Sequence, residues 1–175
     1  MIIESTSIEG LKIVKPKVFK DERGYFFESY NLNAFSKFGI NCQFVQDNQS
    51  YSKWGVLRGL HFQKGEYAQS KLVRVMSGEI LDVVVDLRPD SSTYLENYSI
   101  KLSSENKLQL FVPKGFAHGF VTLSENAVVM YKCDNFYHPD AEDGLMYDDP
   151  KLNIDWMVAK ENLIVNQKDL QYKYL

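Results

Sequence analysis

Cysteine is scarce in this chain. Only Cys42 and Cys133 occur, and neither belongs to a Cys-x-x-Cys pair. Two separated thiols cannot build a disulfide framework, so the sequence reads as a protein of the reducing cytoplasm with both cysteines free. A basic excess is also missing. The net charge is −3, which argues against nucleic acid as a partner, because such proteins carry a basic footprint. No apolar run approaches the roughly 18 residues that a membrane helix needs, so no membrane partner is expected. Met1 to Gly10 lacks the basic and then apolar order of a secretory signal. Linkers, low-complexity segments and fixed-period repeats are absent too, so residues 1–175 read as a single domain large enough for a substantial core.

Aromatic residues, by contrast, are plentiful, with eleven Tyr and eleven Phe. Together with frequent polar breaks they favour β structure. Asp21-Glu22-Arg23-Gly24 is a turn leading into Tyr25–Tyr30, and Asn31 caps a short helix over Leu32–Phe38 that Gly39 ends. Strand-like runs then recur about every ten residues: Gln43–Ser50, Gly55–Gln63, Lys71–Met76, Glu79–Leu87, Tyr94–Leu102, Leu108–Val112, Gly119–Leu123 and Ala127–Cys133. Ser77-Gly78 predicts a hairpin between two of them. His138–Gly144 and Asp148–Pro150 read as turns, and short helical segments are expected after Lys160. Many short strands at even spacing predict an all-β sandwich, jelly roll or barrel.

In Glu79–Asp86, Ile80, Asp82, Val84 and Asp86 share one face and Leu81, Val83 and Val85 the other. Apolar residues on both faces predict a central strand. The two acids on it either pair with basic neighbours or line a polar cavity inside the barrel.

Candidate chemistry centres on the three histidines, His61, His118 and His138. His138 precedes Pro139 in a turn and is expected at the surface. Taken alone, a histidine such as His61 or His118 is more often a hydrogen-bonded structural residue than a catalyst. However, Arg58 and Lys71 lie in apolar, strand-like runs close by, and a buried cation needs an anion. A phosphate-bearing ligand would supply one. Strict alternation puts Arg58 and His61 on opposite faces, so a shared pocket requires a bulge, expected at Gly59.

Pro113-x-Gly-x-x-His118 resembles the second motif of the cupins. Eight further segments extend the likeness: Asp21–Glu28, Phe44–Asn48, Leu57–Gln63, Gln69–Val73, Asp82–Arg88, Leu102–Lys107, Tyr131-Lys132 and Lys168-Asp169. In this order they resemble the dTDP-4-dehydrorhamnose 3,5-epimerase family. The resemblance implies a cupin-like double-stranded β-helix with a few short helices, a homodimer and no cofactor. It implies a dTDP-linked 4-keto-6-deoxy sugar as substrate, with protons removed and returned beside the C4 ketone on the route to dTDP-rhamnose. It assigns His61 as base, Asp169 as its orienting carboxylate, Lys71 as the cation near the ketone oxygen and Tyr131 as the acid that returns a proton. Arg23, Phe26, Glu28, Gln46, Asn48, Arg58, His118, Tyr137, Glu142 and Lys168 become substrate contacts.

These residue types suit the chemistry. A base should titrate near working pH, as His does. A carboxylate on its far nitrogen fixes the tautomer and supports the imidazolium. A cation on the ketone oxygen stabilises the enolate. A metal-dependent cupin would need His-x-His, but Gln63 stands two residues after His61, so no metal site is expected. The alternatives are an epimerase inverting only C3 or only C5, or acting on another 4-keto nucleotide sugar, and a non-catalytic sugar-nucleotide module. Gln49 stands where the family commonly has His, which touches a small part of the expected pocket.

Overall fold

The computed structural model describes residues 1–175. Its strands, in chain order, are β1 (Ile2–Ser5), β2 (Lys12–Lys15), β3 (Phe19–Asp21), β4 (Gly24–Phe26), β5 (Gln46–Lys53), β6 (Val56–Gln63), β7 (Lys71–Ser77), β8 (Glu79–Asp86), β9 (Asn97–Ser103), β10 (Gln109–Val112), β11 (Phe116–Thr122), β12 (Asn126–Cys133), β13 (Glu142–Gly144) and β14 (Ile164–Val165). One sheet runs β1-β2-β10-β7-β12-β5 and the other β13-β6-β11-β8-β9, with β14 alongside β6. From β5 to β12 the chain therefore winds back and forth between two facing sheets. This is the cupin-like double-stranded β-helix that the sequence reading expects.

Side-chain alternation places the core on both sides of the second sheet. Ile80, Val84, Phe116 and Phe120 face inward against Val73, Val75, Leu110 and Val129 of the first sheet. Leu81, Val83, Val85, Ala117 and Val121 face outward, under Leu145, Met146, Leu152 and Trp156 of the C-terminal segment. Each Val, Leu, Ile, Phe or Met among them contributes about 1.5–3 kcal/mol by burial. β8 is thus apolar on both faces because both are covered, as a central strand requires. The covering segment also carries the chain back to the barrel mouth. Trp156 holds it there, buried and donating its indole N–H to the Tyr147 carbonyl at 2.8 Å. The one α-helix spans Leu32–Ser36. Asn31 caps it by accepting the Ala34 N–H at 3.0 Å, and Phe35 anchors it in a third apolar cluster.

Several local expectations are corrected. Ser77-Gly78 does not make a hairpin: β7 pairs with β10 and β12, and β8 with β9 and β11. With both edges of β7 taken, the chain must cross to the other sheet. Gly78, at φ 80°, makes that corner, and a Cβ there would meet the Asn126 carbonyl oxygen. Strand β9 begins at Asn97, later than expected, because the preceding residues fold around Asp86. Glu142–Gly144, read as turn, is an edge strand paired with β6. His138 is half-buried and stacked on Tyr67 at 4.1 Å between ring centroids, so it is not a free surface residue.

Candidate active site

The predicted bulge is present. Arg58 pairs with Phe120 and His61 with His118, so three steps on β6 match two on β11. One extra residue restores phase, and Arg58 and His61 reach the same face. Gly59 permits this with φ 122°, and a Cβ there would lie 2.5 Å from the Gly119 Cα.

This face opens into a cavity of about 500 Å³ lined by Arg58, His61, Lys71, His118, Tyr131, Glu142, Lys168 and Asp169, among others. A second hollow of about 270 Å³ shares His61, Lys71, Tyr131 and Glu142 and adds Gln46, Asn48, Gln63, Gln69 and Tyr137. Both lie between the sheets. His61 and His118 come from β6 and β11, and Lys71 and Tyr131 from β7 and β12 of the facing sheet. A ligand in the cavity therefore has the imidazole on one side and the phenol and ammonium on the other.

The Nε2 of His61 lies 2.9 Å from Oδ1 of Asp169, and Oδ2 of Asp169 accepts the Gly59 N–H at 3.1 Å. Asp169 is 4% exposed, so this tail carboxylate is firmly held although it lies near the chain end. The contact leaves Nδ1 of His61 without a protein partner, on a residue that lines the cavity. His118 is buried and its Nε2 meets both oxygens of Asp82 at 3.0 Å. That pairing resolves the two acids of β8: Asp82 holds a cavity histidine. Asp86 instead accepts hydrogen bonds from Arg88, Ser91 and Thr93.

Lys71 is the cation expected in an apolar strand. Its ammonium sits 5.9 Å from the Tyr131 ring centre. Burial pushes its pKa down, and the charges of Cys133, Asp82 and Glu142 oppose this only in part. Burial likewise raises the Tyr131 phenol, keeping it protonated. Around the rim, Glu142 accepts from the Tyr137 hydroxyl, from Lys168 Nζ at 2.8 Å and from the Tyr172 hydroxyl at 3.2 Å. Burial would raise Glu142, but the Lys168 and Tyr137 hydrogen bonds bring it below its ordinary value. Gln46 donates to Asn48 at 3.0 Å and accepts the Tyr137 N–H at 3.0 Å, which ties β5 to that rim.

Three expected contacts are not gathered here. Arg23, Phe26 and Glu28 lie on or beside the β3–β4 hairpin, outside both hollows. The Arg23 side chain is 85% exposed and bound to Asp21, Phe26 is 70% exposed, and Glu28 accepts from Asn31. Gln49 faces outward on β5, so the concern about its place in the pocket does not apply. Sequence reasoning missed Ser52, which accepts from Arg58 Nε at 3.0 Å, and Tyr172. Ser52 was findable, since period-two alternation along β5 puts it on the face of Gln46 and Asn48. Tyr172 carried no signal.

No three His, Cys, Asp or Glu side chains converge as a set of metal ligands. A sugar-nucleotide fits the cavity chemistry better, with cations for phosphates and a base and an acid on opposite walls. The comparisons point the same way. A family model described as dTDP-4-dehydrorhamnose 3,5-epimerase matches residues 5–175. A protein of that name from Methanothermobacter thermautotrophicus is 50% identical over 171 residues, covering 97% of this chain and 92% of the relative. The crystal structure of dTDP-4-dehydrorhamnose 3,5-epimerase from Elizabethkingia anophelis NUHP1 superposes with TM-score 0.97 at 49% identity, covering 100% of this chain and 96% of that one. The Legionella pneumophila enzyme, solved in complex with dTDP-4-keto-L-rhamnose, superposes with TM-score 0.95 at 46% identity, covering 99% and 92%. The chain belongs to the dTDP-4-dehydrorhamnose 3,5-epimerase family.

Proposed function

We propose that the chain converts dTDP-4-dehydro-6-deoxy-D-glucose to dTDP-4-dehydro-L-rhamnose, inverting C3 and C5, in the formation of dTDP-rhamnose. The observation that carries this reading is the opposition of His61 to Lys71 and Tyr131 across one cavity. Inversion needs a proton taken from one face of a carbon and returned to the other.

His61 takes the proton alpha to the C4 ketone through its free Nδ1. Asp169 fixes the opposite nitrogen and supports the imidazolium that forms. Electron density moves onto the ketone oxygen, where the Lys71 ammonium stabilises the enolate. Such donors typically contribute about 10²–10³ in rate. Tyr131 returns a proton from the opposite wall and is reprotonated from solvent. Arg58 and Lys168 hold the diphosphate. Gln46, Asn48 and Tyr137 hold the nucleoside, and His118 and Glu142 the sugar. No step calls for a cofactor or metal.

The same reading makes the protein a homodimer. Arg23 and Phe26 sit on an exposed hairpin, with Glu28 just beyond it, away from this chain's own cavity, and Phe19, Tyr25 and Phe26 are large apolar side chains left in water there. A second copy would cover them and could bring them to its own cavity. Free Cys42 and Cys133 fit a cytoplasmic enzyme. The test is to incubate protein and substrate, reduce the product with borohydride and identify the sugar. A rhamno-configured product supports the proposal, inversion at one carbon selects the single-site epimerase, and unchanged sugar rejects both.

A further inference from the structure

Tyr172 is not among the cavity-lining residues, yet it touches two that are. Its ring meets the His61 imidazole edge-on, with centroids 5.7 Å apart and planes at 66°. Its hydroxyl donates to Oε1 of Glu142 at 3.2 Å, the oxygen that also takes Lys168 Nζ. The backbone makes room for this. A Cβ on Gly144, which pairs with His61 across β13 and β6, would lie 2.5 Å from Tyr172 Cε2. The following residue is pinned as well, since the Lys173 carbonyl accepts the Met146 N–H at 3.2 Å. Burial and the charge of Glu142 both raise the Tyr172 phenol, so it stays a donor.

We propose that Tyr172 is a positioning residue for the epimerisation: its ring holds the plane of the His61 imidazole, and its hydroxyl fixes Glu142 at the cavity rim. Asp169 alone fixes one nitrogen but permits the ring to rock about that contact. An aromatic edge on the flank removes that freedom, and a base misplaced by a fraction of an ångström loses rate steeply. The hydroxyl does separate work: it shares Glu142 Oε1 with Lys168 Nζ while the Tyr137 hydroxyl takes Oε2, so the carboxylate is held at both oxygens. The last turn of the chain thus brackets the base with two side chains, Asp169 at its nitrogen and Tyr172 at its flank.

This rests on His61 being the base, so the experiment uses one readout that does not need turnover. In Tyr172→Ala, kcat should fall about tenfold or more while dTDP affinity by calorimetry stays within about twofold. The ¹⁵N signals of the His61 imidazole should broaden or average in the free protein. Tyr172→Phe should recover kcat to within about threefold but raise KM, because only the hydroxyl is lost. Tyr172→Leu carries the expectation of the Ala variant if that one does not fold. Wild-type kcat in the Ala or Leu variant, an unchanged His61 spectrum, or an equal kcat loss in Phe and Ala would each overturn the proposal. If the wild type itself shows no epimerisation, the base assignment fails, and the His61 spectra still decide whether Tyr172 orders the ring.

Discussion

The Nε2 of His61 lies 2.9 Å from Oδ1 of Asp169, a contact that spans 108 positions of sequence. It joins a barrel strand to the chain's last turn, and the Gly59 N–H on the second carboxylate oxygen makes the arrangement two-pronged. Asp169→Asn keeps the shape and removes the charge. The account predicts a kcat loss of about 10²–10⁴-fold with KM little changed, because the amide neither supports the imidazolium nor enforces the tautomer. Steady-state kinetics on the purified variant checks this. An activity within a few-fold of wild type would remove Asp169 from the mechanism.

Tyr131→Phe separates taking a proton from returning one. His61 and Lys71 remain, so solvent deuterium should still enter the substrate. The product with inverted configuration should fall by about 10²–10⁴, the usual worth of a positioned acid. Mass spectrometry of recovered substrate and chromatography of reduced product measure the two processes separately. Normal product formation would mean that the proton comes from elsewhere.

Gly59→Ala tests the bulge. The new methyl would lie 2.5 Å from the Gly119 Cα at a backbone φ of 122°. Conformational strain alone costs about 1–3 kcal/mol. Urea denaturation should show at least this loss. The folded fraction should lose activity too, because Arg58 and His61 would fall out of phase. A stable, fully active variant would contradict the strand geometry.

Asp86 provides a control away from the cavity. It is fully buried; burial by itself raises its pKa, yet hydrogen bonds from Arg88, Ser91 and Thr93 outweigh that and hold it below the ordinary carboxylate range. A carboxyl with its folded-state pKa below the unfolded value of about 3.9 stabilises the fold above that pH, and the contribution is lost as pH falls through the folded value. Asp86→Asn should therefore cost about 3 kcal/mol at pH 7, with the gap from wild type narrowing below about pH 4. Denaturation curves at neutral and acid pH check both the size and the direction.

Much of this was legible in the sequence because β structure writes itself with period two. The strands β5 to β12 are recognisable, and so is the central place of β8, whose two apolar faces require cover on both sides. The bulge at Gly59 followed from a conflict: Arg58 and His61 had to share a face that strict alternation denies them. Pairing partners were less legible. Ser77-Gly78 has the chemistry of a hairpin but makes a corner between sheets, because occupancy of β7's edges is a property of the whole fold. Tyr172 could not be found either, since its role arises only where the tail returns to β6 and β13. Arg23 and Phe26 on the hairpin, and Glu28 beside it, are recognisable by resemblance, but a single chain does not bring them to its own cavity.

The most direct test follows the C3 and C5 protons of dTDP-4-dehydro-6-deoxyglucose by NMR in D₂O, with EDTA-treated wild type and His61→Ala side by side. The account predicts loss of both signals with wild type and of neither with the variant, while dTDP binding by calorimetry stays within about twofold. Continued exchange by His61→Ala, or wild-type exchange abolished by EDTA, would contradict it.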